Sequence, residues 1–118
     1  MDCGEFMFSS VREIEAPELA QHLEQGSETY QMVDVREMRE IMAGTVPNAR
    51  PMPLATLPLK MSELDKNKTL VMVCRSGARS AQACMFLQQQ GFENVVNLRG
   101  GMMAWAQGCL PMAMPEAI

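Results

Sequence analysis

The chain has one histidine, one tryptophan and one tyrosine, and aromatic residues make up only 5% of its 118 positions. It contains no apolar run long enough to cross a bilayer. Its start, Met1-Asp2-Cys3-Gly4-Glu5, lacks both the basic residues and the apolar stretch of a secretory signal. There is no stripe of lysine and arginine, and the formal net charge is −4, so nucleic acid is excluded as a partner class. The four cysteines, at positions 3, 74, 84 and 109, form no Cys-x-x-Cys pair, and with His22 they make no zinc set. His22 sits in a polar helical stretch, Gln21 to Gln25, far from Cys74 in sequence, which argues against a cysteine–histidine dyad of the protease type. These absences leave a protein with no membrane partner and no disulfide framework, expected to be cytoplasmic.

The 47% hydrophobic and 20% charged fractions are those of a globular protein. A single core suffices at this length, because a domain of this size buries roughly two-thirds of its unfolded surface. Residues 1–10 read as a lead-in, 11–110 as one domain and 111–118 as an irregular tail. Thirteen methionines, among them Met32, Met72, Met85 and the pair Met102-Met103, scatter over strands and helices as flexible core filling. Met112, Met114 and Cys109 could be drawn together as a copper(I) set, but their spacing is unspecific.

Apolar runs and turn residues predict the order of elements. Glu13-Ile14 is a short edge strand, and Pro17 opens a helix that runs through Leu19, Ala20 and Leu23 to Gly26. Tyr30 to Val35 is a buried strand, followed by a helix over Glu37 to Ala43 that stops at Gly44. Thr45 to Leu59, broken by Pro47, Pro51, Pro53 and Pro58, is mostly loop, with one short strand near Ala49 to Met52. Leu57 to Leu64 forms a short helix and Thr69 to Val73 a second buried strand. Ser80 to Gln90 is an amphipathic helix with Ala83, Phe86 and Leu87 on its apolar side, closed by Gly91. Val95 to Leu98 is a third buried strand and Gly101 to Gln107 a last helix carrying Trp105. Alternating strands and helices imply an α/β fold of three layers, a mainly parallel central sheet with helices on both faces.

In such sheets, working groups gather beyond the carboxyl ends of the strands. Cys74 ends one strand and Asp34-Val35-Arg36 ends another, so both point to the same edge. The segment Cys74-Arg75-Ser76-Gly77-Ala78-Arg79-Ser80 runs from a strand into a helix. Backbone N–H groups and the positive end of a helix dipole converge there. Gly77 lets the loop curl so that these groups surround the sulfur, with the Ser76 and Ser80 hydroxyls as further donors. A thiolate so placed is easily formed and nucleophilic. Arg75, early in the loop, is suited to attract an anionic substrate. Arg36 and Arg79 can each brace the loop through a carboxylate such as Glu40 or Asp34, and for Arg79 bracing weighs at least as much as direct binding. Cys84, in mid-helix, and Cys109, in the tail, read as small hydrophobes, and Cys3 as exposed and incidental.

Taken in order, these segments resemble those of a single-domain rhodanese, a member of the sulfurtransferase family. Val33-Asp34-Val35-Arg36-Glu37 with Glu40 is similar to the family's Asp-x-Arg segment. Gly44-Thr45-Val46-Pro47-Asn48-Ala49 corresponds to Gly-His-Ile-Pro-Gly-Ala, departing at Thr45 and Asn48. Cys74 to Ser80 resembles the active-site loop. Gly91-Phe92-Glu93-Asn94-Val95 and Leu98-Arg99-Gly100-Gly101-Met102 through Trp105 match the ending. The resemblance covers about Ile14 to Pro111. It implies transfer of sulfane sulfur from thiosulfate or a persulfide to cyanide or a thiol, by way of a Cys74 persulfide and with no cofactor. It also implies, as protein partners, a desulfurase or a sulfur acceptor.

Two other readings use the same cysteine. A phosphatase or arsenate reductase of related fold closes a similar loop with one more residue than the four between Cys74 and Arg79. A persulfide carrier, loaded by a protein and unloaded onto another, needs the same thiol with little turnover of small donors.

Overall fold

The structure, a computed structural model, describes residues 11–26 and 28–115. The reading of residues 1–10 as a lead-in, with Cys3 exposed, and that of residues 116–118 lie outside the described residues. Three apolar runs become the centre of the sheet. They are β2 (Tyr30–Asp34), β4 (Thr69–Val73) and β5 (Val95–Leu98). Strand β1 (Arg12–Ile14) and the two-residue β3 (Arg50–Pro51) take the edges. The order is β1-β5-β4-β2-β3 and every pairing is parallel. Strand β3 is shorter than the expected Ala49 to Met52, and Pro51, which has no N–H to give a ladder, is confined to an edge.

Side chains alternate across the sheet, and each face is covered. On one face Leu70, Met72 and Val95 pack with Cys74 against α4 (Ala78–Gln89) through Ala83, Cys84 and Leu87. On the other, Val71, Val73, Val96 and Leu98 meet α1 (Ala16–Glu24) and α5 (Gly101–Gln107) through Leu19 and the fully buried Trp105. This is the three-layer α/β arrangement that the alternating pattern implies.

Three elements differ from the expected ones. The helix expected over Glu37 to Ala43 is the single turn α2 (Met38–Ile41), because the Gly44 N–H closes back on the Ile41 carbonyl at 2.9 Å. The helix expected over Leu57 to Leu64 is α3 (Leu57–Lys60) between two 3-10 turns, Leu54–Thr56 and Met61–Glu63. Only Leu57 and Leu64 of that stretch are buried, so no apolar stripe longer than a turn holds a helix there. Helix α4 begins at Ala78, two residues before Ser80, which puts Arg79 and Ser80 in its first turn instead of in a loop. Residues 111–115 lie outside the helices and the named strands, yet they are tied down. Thr45 and Ala113 exchange both backbone hydrogen bonds at 2.9 Å, and the Trp105 indole N–H donates to the Pro111 carbonyl at 2.7 Å.

Helix α5 is docked onto the loop that follows β4. The Met102 N–H donates to the Cys74 carbonyl at 2.8 Å and the Met103 N–H to the Arg75 carbonyl at 2.9 Å. Gly101 makes this approach possible: its φ is +56°, and a Cβ there would lie 2.3 Å from the Cys74 carbonyl oxygen. Gly101→Ala is therefore expected to lower stability by roughly 1–3 kcal/mol from backbone strain alone, with the clash adding to it. Thermal unfolding of this variant beside Gly26→Ala, whose added Cβ meets nothing within 4 Å, separates the clash from the loss of a glycine. Equal losses would show that α5 does not press on the loop.

Candidate active site

Cys74 follows the last residue of β4 and is only 1% exposed. The chain passes through Arg75, Ser76 and Gly77 into α4, and Gly77, at φ +104°, occupies the left-handed conformation that side chains resist. That turn brings the Gly77 N–H to 3.0 Å from the Cys74 Sγ, and the Ser80 Oγ lies 3.3 Å from it. In a trans peptide, C=O and N–H point in opposite directions. The Arg75 carbonyl is drawn toward α5 by Met103, so the Ser76 N–H of the same peptide is turned back toward the sulfur. Burial by itself pushes the Cys74 thiol up. The Ser80 hydroxyl and the backbone N–H groups of Ser80, Gly77 and Ser76 outweigh it and hold the thiol below its ordinary value. The positive end of α4 acts in the same direction.

Cys84 is the contrast. It is buried on α4 with no such donors, and desolvation, helped by the charges of Glu13 and Cys74, pushes it up to about 12. Cys109 is a free cysteine exposed after α5. His22 stands over the Tyr30 ring, with centroids 5.0 Å apart, and 4.0 Å from Glu18; it does not approach Cys74. Among the described residues no group of three or more histidine, cysteine or acidic side chains is placed to hold a metal ion.

The arginines divide by role. Arg79 donates to both oxygens of Glu40, at 3.1 and 3.2 Å, tying the first turn of α4 to α2. It braces the loop. Arg36 grips the fully buried Asp34 through Nε and Nη2, the latter at 2.7 Å, and also donates to the Gly44 carbonyl at 2.8 Å. The Thr45 hydroxyl gives Asp34 a further bond at 2.7 Å. The position that departs from the family's histidine therefore completes a closed network around one carboxylate. Arg75 is exposed and, among the described residues, in no ion pair; with Met102, Met103, Ala43, Ala106 and Arg36 it lines a shallow cavity of about 350 Å³. Ser76 of the loop and Ala78, the first residue of α4, are exposed, and Ser76 takes part through its backbone.

Asn97 was not visible as part of the site in the sequence. It lies on β5, 2% exposed, and bonds both Ser80 and the Gly77 carbonyl. The available signal was a polar residue inside the apolar run Val95-Val96-Asn97-Leu98, which has no reason to be buried unless it has partners.

Hydrogen bonds from Arg79, and then from the Glu37 N–H, hold the Glu40 carboxyl at about 2 against the ordinary 4.5. A carboxylate depressed in the folded state stabilises above its unfolded pKa and loses that contribution as the pH falls toward its folded one. The Arg79–Glu40 brace is accordingly expected to weaken between about pH 4.5 and pH 2. Glu40→Gln should melt lower than wild type at pH 7 and lose less on acidification through that window. Melting temperatures of both proteins against pH check this, and parallel curves would count against it.

The Rhodanese-like domain model matches residues 15–108. A protein named Sulfurtransferase from Allochromatium vinosum is 46% identical over 106 residues, spanning 90% of this chain and 98% of that protein. A Bacillus subtilis protein that carries a sulfur-carrier name is 32% identical over 97 residues, which cover 82% of this chain and 52% of that one. Among solved structures, a rhodanese-related protein from Thermoplasma volcanium superposes with a TM-score of 0.78 at 32% identity, covering 86% of this chain and 97% of its own. With a parallel sheet in this order and the Cys74 loop at its carboxyl edge, the chain belongs to the rhodanese-like domain family.

Proposed function

We propose that the protein is a sulfurtransferase that carries sulfane sulfur on Cys74. The observation that carries this reading is the ring of donors around the Cys74 sulfur, Gly77 N–H at 3.0 Å and Ser80 Oγ at 3.3 Å. Such a ring suits a group that bears negative charge in its resting state and in its loaded one. The short loop between Cys74 and Arg79 fits a single added sulfur better than a tetrahedral phosphate or arsenate, and Arg79 is occupied by Glu40. A phosphatase would need that arginine on its substrate.

Two displacements make the transfer. The Cys74 thiolate attacks the outer sulfur of thiosulfate; a Cys74–sulfur bond forms, the donor's sulfur–sulfur bond breaks, and sulfite leaves with the electron pair. An acceptor thiolate or cyanide then attacks the outer sulfur of the Cys74 persulfide. That bond breaks in turn and the thiolate is restored. Charge sits on sulfur throughout, so donors already in place serve both steps without rearranging. Arg75, in no ion pair among the described residues although Glu40 lines the same cavity, receives the sulfonate end of the donor. This reading needs no metal or organic cofactor, and the cytoplasm, where thiols are kept reduced, is its natural setting.

A second reading, a persulfide carrier between a desulfurase and an acceptor protein, is favoured by the surface beside Arg75. Met102 and Met103 line the cavity beside Arg75, and Met103 is 47% exposed, a soft apolar surface suited to another protein.

Intact mass after incubation with thiosulfate tests the proposal. Wild type is expected to gain one sulfur, about 32 Da, and to lose it on adding cyanide, while Cys74→Ser gains nothing. A wild type that loads only from a protein persulfide selects the carrier, and Cys74-dependent hydrolysis of an aryl phosphate would overturn both. Cys84→Ser is expected to load normally. Arg75→Ala should raise the KM for thiosulfate roughly tenfold with an unchanged melting temperature, as for one lost charge-assisted contact.

A further inference from the structure

Asn97 holds two parts of the Cys74 surroundings at once. Its Nδ2 donates to the Gly77 carbonyl at 3.0 Å and to Glu13 Oε2 at 3.2 Å, and its Oδ1 accepts from the Ser80 hydroxyl. The partners fix which way the amide faces. A carbonyl and a carboxylate can only accept, so the NH2 end must meet them, and Oδ1 is left for Ser80. Gly77 is thereby clamped from both sides, its carbonyl by Asn97 and its N–H by the sulfur.

The Ser80 hydroxyl has a single proton and two acceptors within reach, the Cys74 Sγ and the Asn97 Oδ1. With Cys74 as a thiol, S–H donates to the Ser80 oxygen and Ser80 donates to Asn97, a chain with every proton placed. With Cys74 as a thiolate, the hydroxyl turns its proton to sulfur. Asn97 keeps the oxygen where both arrangements are available. A buried amide costs about 1–3 kcal/mol wherever its bonds are unmade, and an aliphatic residue would suit the strand better if only packing mattered.

We propose that Asn97 is a positioning residue for the Cys74 nucleophile: it aims the Gly77 N–H at the sulfur by holding the Gly77 carbonyl, and it holds the Ser80 oxygen beside the sulfur by accepting the hydroxyl proton while Cys74 is a thiol, so that the hydroxyl can turn to the thiolate once it forms. The proposal rests on the reading of Cys74 as a nucleophile and adds the residue that sets its reactivity from a neighbouring strand. Other charged or titratable groups around the sulfur are Arg75 next to it, Arg79 of α4 with Glu40 of α2, Cys84 of α4, and Glu13 of β1, the last reaching it through Asn97.

The test is the pH dependence of Cys74 alkylation by iodoacetamide, read by peptide mass so that the other cysteines do not contribute. Wild type, Asn97→Leu, Ser80→Ala and the double variant are compared, with melting temperatures alongside. Asn97→Leu is expected to raise the midpoint by roughly one pH unit, about tenfold slower alkylation below it, with the limiting rate at high pH retained. Ser80→Ala should raise it too, and the double variant by less than the sum, because Asn97 acts partly through Ser80. A wild-type midpoint in a folded Asn97→Leu protein overturns the proposal, as do fully additive shifts. If Asn97→Leu does not fold, the smaller Asn97→Ala is titrated in its place. It adds no charge and has neither a donor for Gly77 nor an acceptor for Ser80, so its midpoint rises, and a wild-type value again overturns the proposal. Alkylation needs no sulfur donor. Failure of wild type to load from thiosulfate would therefore leave the midpoints readable, and unchanged midpoints beside normal loading would sink the role of Asn97 alone.

Discussion

A buried sulfur that is to carry negative charge has to be met by hydrogen-bond donors that stand in place before the charge arrives. At Cys74 these are backbone N–H groups and one hydroxyl, and each is aimed by something outside the loop. The Ser76 N–H points inward because the Arg75 carbonyl on the other side of the same peptide is held by α5. Gly77 is oriented by its left-handed turn and by Asn97 on β5. Ser80 is carried by α4. Three elements from distant parts of the chain thus converge on one atom, and the parallel sheet is what delivers their ends to a common edge.

A second closed network stands beside it. Asp34, at the end of β2, is fully buried, and a buried carboxylate is tolerated only with its oxygens answered. Arg36 answers both, Thr45 one of them, and Arg36 also fastens the Gly44 carbonyl. The segment from Val35 to Thr45 is thereby fixed without a long helix, and from it Glu40 reaches across to Arg79. The brace on α4 is therefore only as firm as the carboxylate network beneath it.

Most of this was legible in the sequence, for a physical reason. Buried strands of a parallel sheet are uninterrupted apolar runs, so β2, β4 and β5 stood out, and with them the edge where Cys74 and Asp34 lie. That Arg36 and Arg79 have Asp34 and Glu40 as bracing carboxylates could be read from the motifs, but which arginine takes which carboxylate is given only by the fold. Contacts made across the sheet could not be read in this way. Asn97 is 20 residues from Gly77 and looks like a flaw in an apolar strand, and only the register that sets β5 beside β4 gives it partners. The short elements α2 and α3 were overestimated because composition favours a helix there while the burial needed to sustain one is missing.

The methionines and the tail show how far the fold extends past its regular elements. Met112 packs its sulfur close to Gly44, and the Ala113–Thr45 bridge sets the last described residues across the loop that carries the Asp34 network. The same few residues supply the acceptor for the Trp105 indole N–H. A domain boundary drawn at the end of α5 would leave that buried indole facing nothing and strip one strand-like partner from Thr45. As a self-sufficient piece of protein, the fold runs at least to Ala113, six residues beyond its final helix.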